Sequence, residues 1–195
     1  MQWVIKIGGS LYDSSYLVDW LHAISECESQ KIIIVPGGGP FADLIREVDN
    51  HFNIDQCLAH NMAILAMQQY GYLMKSLCPS LTLVDTQKKM NACWSNRNVA
   101  IWEPFNMVRL YCDLEKSWNI TSDSLAAWLA KYLSADQLLF IKSADITLTK
   151  CTLENLSKES FIDPYLPEYL AKMNLSTHFM HKTHLHKFKQ LLSLC

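Results

Sequence analysis

Met1-Gln-Trp-Val-Ile-Lys-Ile-Gly-Gly-Ser10 is the stretch on which the reading of the chain turns. Trp3 to Ile7 is a short apolar, β-branched run with one lysine inside it, which predicts a buried strand. Gly8, Gly9 and Ser10 follow at once, where that strand has to turn. With no Cβ to hold a ligand away, backbone N–H groups there can come close to an anion. Lys6, just before the turn, can set its ammonium against the same anion. A helix beginning at Asp13 to Ser15 would point its positive end the same way. Together these features suggest a phosphate cradle. An ordinary tight βα turn with a surface lysine fits this stretch alone equally well.

Further along, Ser14 to Cys27 carries apolar residues at helical spacing, and Lys31 to Val35 is a continuous apolar strand of the kind buried on both faces of a parallel sheet. That strand runs into Pro36-Gly-Gly-Gly-Pro40 and a helix from Phe41 to about Val48. Asp55 to Leu77 predicts a longer helix, Leu81 to Val84 and Val99 to Trp102 short strands, and Leu125 to Leu133 another helix. Gln137 to Ile141 is again a buried strand. Strands alternating with helices predict an α/β fold, a three-layer sandwich around a mostly parallel sheet. No internal repeat or linker interrupts it, so residues 1–195 read as one domain.

Composition narrows the classes. Half the residues are hydrophobic and 18% are charged, which is a globular balance. A net charge of -2 gives no basic footprint for nucleic acid. No apolar run approaches the roughly 20 residues that cross a bilayer, so no membrane partner is expected. The chain opens on a strand and not on a signal peptide. Its seven cysteines are scattered, odd in number and never in a Cys-x-x-Cys pair, which fits reduced thiols in a cytoplasm.

The second glycine cluster has two readings. Gly37-x-Gly39-x-x-Ala42 fits the loose dinucleotide fingerprint, with Asp55 as the ribose acid, although Asp55 opens a helix and not the end of a strand. Alternatively, Gly37, Gly38 and Gly39 let a small acceptor lie against backbone N–H groups at a helix start. Two such turns on neighbouring parallel strands would both face the carboxyl edge of the sheet and hold a donor beside an acceptor. The third constellation is Trp118-Asn-Ile-Thr-Ser-Asp-Ser-Leu-Ala-Ala-Trp-Leu-Ala130, where Thr121, Ser122 and Asp123 are N-cap candidates before an alanine-rich helix.

Lys6-Ile-Gly-Gly-Ser10, Pro36-Gly-Gly-Gly-Pro40 and Thr121-Ser-Asp-Ser-Leu-Ala-Ala127, in this order and at these distances, resemble the amino acid kinase superfamily. Within it the 118–130 stretch is most similar to the aminomethylfuran phosphate kinase group, which serves methanofuran synthesis and has relatives among methylotrophs. The resemblance covers roughly residues 1 to 150. It implies a phosphotransferase using ATP and Mg2+ on a small-molecule acceptor in one-carbon cofactor biosynthesis. Lys6 would neutralise the transferring phosphoryl group, with Gly8, Gly9 and Ser10 cradling it. Asp123 would hold that lysine in position. Gly37, Gly38, Gly39 and Ser122 would hold the acceptor, and Lys142, Ser143 and Asp145 would line the nucleotide site. Residues 1–118 would form the acceptor-side half and 119–195 an abbreviated nucleotide-side half.

Departures from the family pattern are equally specific. The family usually has a glycine directly after the aspartate of the nucleotide-side loop, but Asp145 is followed by Ile146. Nothing matches the later Gly-Gly-Met loop or its second lysine, for which Lys150, Lys158 or the tail histidines 178, 181, 184 and 186 are the available substitutes. A catalytically degenerate, ligand-binding or partner protein on the same fold is therefore the competing class. The histidine spacing does not converge on one helical face, so the tail is read as finishing the sheet, with a strand at Asn174–Phe179 and a helix at His181–Leu192. His51 and His60 are candidates for the acceptor pocket. By analogy with superfamily members, a homodimer is expected through the long helix, with Met62, Leu65, Ala66, Gln69, Tyr70 and Leu73 as its stripe.

Overall fold

A computed structural model describes residues 1–144 and 152–193. Six strands form one sheet: β1 (Gln2–Ile7), β2 (Lys31–Pro36), β3 (Thr82–Val84), β4 (Ala100–Trp102), β5 (Gln137–Lys142) and β6 (Ser176–His181). Their order is β3-β4-β2-β1-β5-β6 and every neighbouring pair is parallel. The helices are α1 (Tyr16–Ser25), α2 (Gly39–Phe52), α3 (Gln56–Leu77), α4 (Gln87–Ser95), α5 (Pro104–Tyr111), α6 (Ser122–Tyr132), α7 (Leu153–Lys158), α8 (Leu166–Ala171) and α9 (Leu185–Ser193). The expected α/β sandwich is the fold that forms.

Side chains alternate across a strand, so the buried runs divide between two cores. Trp3, Ile5, Ile7, Ile32, Ile34, Leu139 and Ile141 pack on one face of the sheet with α1, part of α3 and Phe188 of α9. Val4, Ile33, Val35, Leu138 and Phe140 pack on the other, against α6 and its neighbours. Lys6 and Lys142 have the parity of Val4 and Phe140, so they share the sheet face that α6 covers. That parity fixes where the two lysines meet the start of α6.

β1 lies between β2 and β5, so the chain leaves it toward both edges of the sheet. A parallel sheet opens its ligand crevice at the carboxyl ends of strands around such a reversal. Both glycine turns lie there, and they are packed on one another. A Cβ on Gly9 would stand 2.3 Å from the Gly39 nitrogen, and one on Gly37 would stand 2.3 Å from the Gly9 nitrogen. Gly39 also takes a φ of +56°, which favours glycine.

Local differences from the sequence reading have physical causes. After β1 the chain makes a 3-10 turn over Gly9–Leu11, and α1 starts only at Tyr16, not at Asp13–Ser15. Asp55 is the N-cap of α3, its carboxylate accepting from the Leu58 N–H at 3.1 Å, so it is a helix cap and not a ribose acid. The tail does finish the sheet. β6 pairs with β5 along its length, and a turn from His181 to His184 delays the terminal helix to Leu185. Among the described residues, no helix is long and apolar enough to cross a membrane. The stripe expected on α3 divides: Ala66 and Tyr70 are buried in the monomer, whereas Leu65 and Gln69 are exposed.

Candidate active site

The strand ends, the two glycine turns and the first turn of α6 surround a cleft of about 640 Å³. Thr121 caps α6: its hydroxyl accepts from the Asp123 N–H at 3.2 Å, which leaves the Asp123 side chain in the helix's first turn. Asp123 is only 4% exposed, and its two oxygens hold two different lysines. Lys6 Nζ lies 2.7 Å from Oδ1, and Lys142 Nζ donates to Oδ2 at 2.6 Å. Lys142 also donates to the Phe161 carbonyl at 2.7 Å and stands over the Phe161 ring. Two buried cations thus share one buried anion.

The electrostatics follow from that imbalance. Burial pushes the Asp123 carboxyl up, but Lys6 and then Lys142 outweigh it, and the group lies below the usual carboxylate range. Lys142 is pulled down to about 8, first by burial and then by Lys6, with Asp123 only partly offsetting both. The site therefore carries surplus positive charge in a place where bare charge is expensive.

Of the residues expected to touch ligand, Lys6, Gly8, Gly9, Ser10, Gly38, Gly39, Ser122, Asp123, Lys142 and Ser143 all line this one cleft. Gly37 does not. It is the spacer that lets the two turns approach, and its N–H donates to the Ile7 carbonyl at 2.9 Å. Gly8 lines the cleft, but its own N–H is spent on the Ile141 carbonyl at 3.0 Å. Among the described residues, the Gly9 and Ser10 N–H groups have no backbone acceptor, because they stand at the start of a 3-10 turn where N–H groups have no partner within the turn. Ser10 and Ser143 join across the mouth, their hydroxyls 2.6 Å apart. Asp145 and Lys150 lie outside the described residues, and Lys158 does not line the cleft.

Lys142, expected from the resemblance to line the nucleotide site, does line the cleft, and the structure adds a contact with no signal in the sequence: its ammonium lies on the aspartate that holds Lys6. Asp163 was missed as well. Buried at 5% exposure, it accepts from the Thr121 and Ser124 N–H and hydroxyl groups and from the Leu166 N–H, at 2.6 to 3.0 Å. It fixes the starts of α6 and α8 together, and so sets Asp123. Its one signal in sequence is the Asp-Pro pair 163–164, a turn initiator.

On the other wall stand Arg46, His60, Met67 and Trp118. The Arg46 guanidinium lies 5.1 Å over the Trp118 ring, whose indole N–H donates to Asp49 at 2.7 Å. Arg46 also bonds the exposed Asp43 at 2.9 Å. Burial holds His60 below its ordinary range, with a Ser117 backbone bond opposing that shift. His51 packs against Phe52 and does not line the cleft.

A parallel sheet with two interlocked glycine turns and a buried Lys–Asp–Lys cluster at its carboxyl edge defines an α/β protein with its crevice at that edge. The amino acid kinase family model matches residues 1–151, and the chain belongs to that family. It is 32% identical over 143 residues to the (5-(aminomethyl)furan-3-yl)methyl phosphate kinase of Methanocaldococcus jannaschii. That alignment covers 73% of this chain and 66%, just under two thirds, of the relative. The fold is shared with the uridylate kinase of Archaeoglobus fulgidus, at TM-score 0.69 and 15% identity over 97% of this chain and 96% of that one. Aspartate kinase from Synechocystis also shares it, at TM-score 0.60 and 13% identity over 94% of this chain and 38% of that one.

Proposed function

We propose that the chain is a small-molecule kinase that moves a phosphoryl group from ATP to a small phosphorylated acceptor. The observation that carries this reading is the pair of buried ammonium groups, Lys6 and Lys142, on opposite oxygens of Asp123. Phosphoryl transfer needs positioned charge more than covalent help, because negative charge spreads over the transferring oxygens. A cluster that is one positive charge in excess meets that need, and Asp123 keeps both cations from turning away. Donor phosphates would take the N–H groups of Gly9 and Ser10 beside Ser143, and the acceptor would lie toward Gly38, Gly39 and Ser122.

Arg46 supplies the anchor for a phosphate already on the acceptor, since its planar fork matches phosphate oxygens. The furan phosphate named for the archaeal relative is an acceptor of this kind, and the proposal extends to a role in one-carbon cofactor synthesis. Among the described residues a protein-held metal finds no ligand set. Asp123 is committed to two lysines and Asp163 to five hydrogen bonds, and among the described residues no group of three or more His, Cys, Asp or Glu side chains is placed to bind a metal. Mg2+ would arrive on the nucleotide and neutralise phosphate charge there. The free thiols of Cys27, Cys57, Cys78, Cys93 and Cys112 suit a reducing compartment such as the cytoplasm.

The test is Lys6→Met, with ATP turnover measured against a panel of phosphorylated small alcohols and amines. Loss of the charge clamp raises the barrier by about 3 kcal/mol or more, on the order of a hundredfold in rate. Wild-type turnover in a folded Lys6→Met protein would remove Lys6 from the mechanism.

A further inference from the structure

The tail does more than complete the sheet. β6 runs beside β5 with Lys142 opposite His181, and the pairing continues one step further, the Lys182 N–H donating to the Lys142 carbonyl at 2.8 Å. At this point the His181 ring turns toward the cleft side of the sheet edge. Its Nε2 stands 2.9 Å from the Ser143 carbonyl, and its Nδ1 stands 2.7 Å from the Thr183 hydroxyl. A carbonyl only accepts, so Nε2 carries the proton. Ser143 then reaches the Ser10 hydroxyl at 2.6 Å. The result is a continuous chain of contacts from Thr183 through His181 and Ser143 to Ser10, ending in the first glycine turn.

The far end of that chain is itself anchored. The Trp20 indole donates to the Lys182 carbonyl at 2.7 Å, and its ring packs at a 55° tilt against the fully buried Phe188 of α9. The 181–184 turn is closed by the His184 N–H on the His181 carbonyl at 2.9 Å. His181 is therefore held by a rigid surround, while its partner Ser143 follows Lys142 directly and lines the cleft.

We propose that His181 is a positioning residue for the donor side of the cleft: through its Nε2–H it sets the Ser143 backbone, and thereby the Ser10–Ser143 pair that closes over the first glycine turn. It touches no reacting atom. This role rests on the kinase reading above, and it predicts a split. Removing the donor should weaken the nucleotide side, whereas the acceptor side, built on α2 and Trp118, should be untouched.

The experiment compares wild type, His181→Ala and His181→Gln. A Gln amide places N–H groups near the position of Nε2. Magnesium complexes of ATP and of a non-hydrolysable ATP analogue are titrated by calorimetry, and KM values for ATP and acceptor are measured where turnover is found. His181→Ala should lose about tenfold in nucleotide affinity with the acceptor KM within twofold, and His181→Gln should recover most of the loss. Thr183→Val, which removes the hydroxyl on Nδ1 but leaves the strand intact, should show a smaller loss of the same kind and is read in place of His181→Ala if that protein does not fold. Unchanged nucleotide affinity, an equal rise in both KM values, or no recovery with Gln would each overturn the positioning role. Wild-type protein that binds no nucleotide would instead overturn the kinase reading, and the two failures are told apart by that first titration.

Discussion

Nucleotide binding to this cleft should take up a proton at alkaline pH, with Lys142 as its destination. The free side chain is held near 8, first by burial and then by Lys6. At pH 8.5 a group of that pKa is charged in only about a quarter of molecules, against roughly nine-tenths at pH 7. A phosphate brought within about 4–6 Å raises such a pKa by roughly 1–3 units, so at pH 8.5 the bound ammonium is charged in about three quarters of molecules or more. Uptake should then be about 0.5–0.7 proton per nucleotide at pH 8.5 and fall to about 0.1 at pH 7. Calorimetry in buffers of different ionisation enthalpy reads this number as the slope of observed heat against buffer heat. Lys142→Met should flatten the pH dependence. Equal uptake at both pH values, or uptake that survives in Lys142→Met, would refute the reasoning. The sign for stability is opposite to that for catalysis. Because the folded pKa lies below the ordinary 10.5, the unfolded chain holds the extra proton between about pH 8 and 10.5, and the unfavourable contribution of Lys142 to folding is relieved as pH rises through that window. Turnover should fall through the same window, as the charge that the transition state uses is lost.

Asp163→Ala should lower the melting temperature by roughly 10 °C: three backbone N–H donors lose their acceptor at about 1 kcal/mol or more each, and each kcal/mol is worth roughly 2–4 °C in a chain of this size. A drop below about 3 °C by calorimetry would show that water replaces the carboxylate. A homodimer through α2 and α3 is expected from what their outer surface leaves uncovered, with Leu44 at 57%, Phe52 at 70%, Leu58 at 57% and Leu65 at 41% exposure. Light scattering at micromolar concentration should give a dimeric mass that Leu58→Asp with Leu65→Asp converts to monomer; a monomeric wild type would end the idea.

The parts of this fold that were legible in sequence are those where local chemistry dictates structure. Continuous apolar runs at 3–7, 31–35 and 137–141 became buried parallel strands, and the glycine clusters became the turns at their carboxyl ends. Periodicity gave no helix where the element is short and its burial thin: in α4 only Met90 and Cys93 are buried, and in the eight-residue α5 the stripe is confined to Pro104, Met107 and Val108. The cleft was legible in its glycines, Lys6 and Asp123, but not in its closure. Lys142 reaches Asp123 because β5 lies beside β1, and Asp163 reaches Thr121 across 42 residues of chain. Neither contact has a local signal, since strand order and the meeting of distant stretches of chain decide them.

The choice between a working kinase and a degenerate relative can be argued from the energy of the Lys–Asp–Lys cluster. A buried ion pair seldom repays its desolvation, and a second cation on the same carboxylate adds repulsion with no new anion to offset it. Lys6 is the surplus charge: without it, Asp123 and Lys142 remain a matched pair with the Phe161 carbonyl as a further acceptor. A chain that only kept the fold would gain by replacing Lys6 with an apolar residue, because its neighbours in β1 are fully buried hydrophobics. Lys6→Met should therefore leave stability unchanged or raise it by about 1–2 kcal/mol, a gain of a few degrees in melting temperature, in the same protein that has lost turnover. Such a trade is the mark of a charge held for a ligand, since activity and stability then pull one side chain in opposite directions. A fall of about 5 °C or more in Lys6→Met would mean that the cluster is a structural clamp, and the case against the degenerate reading would lose its energetic basis.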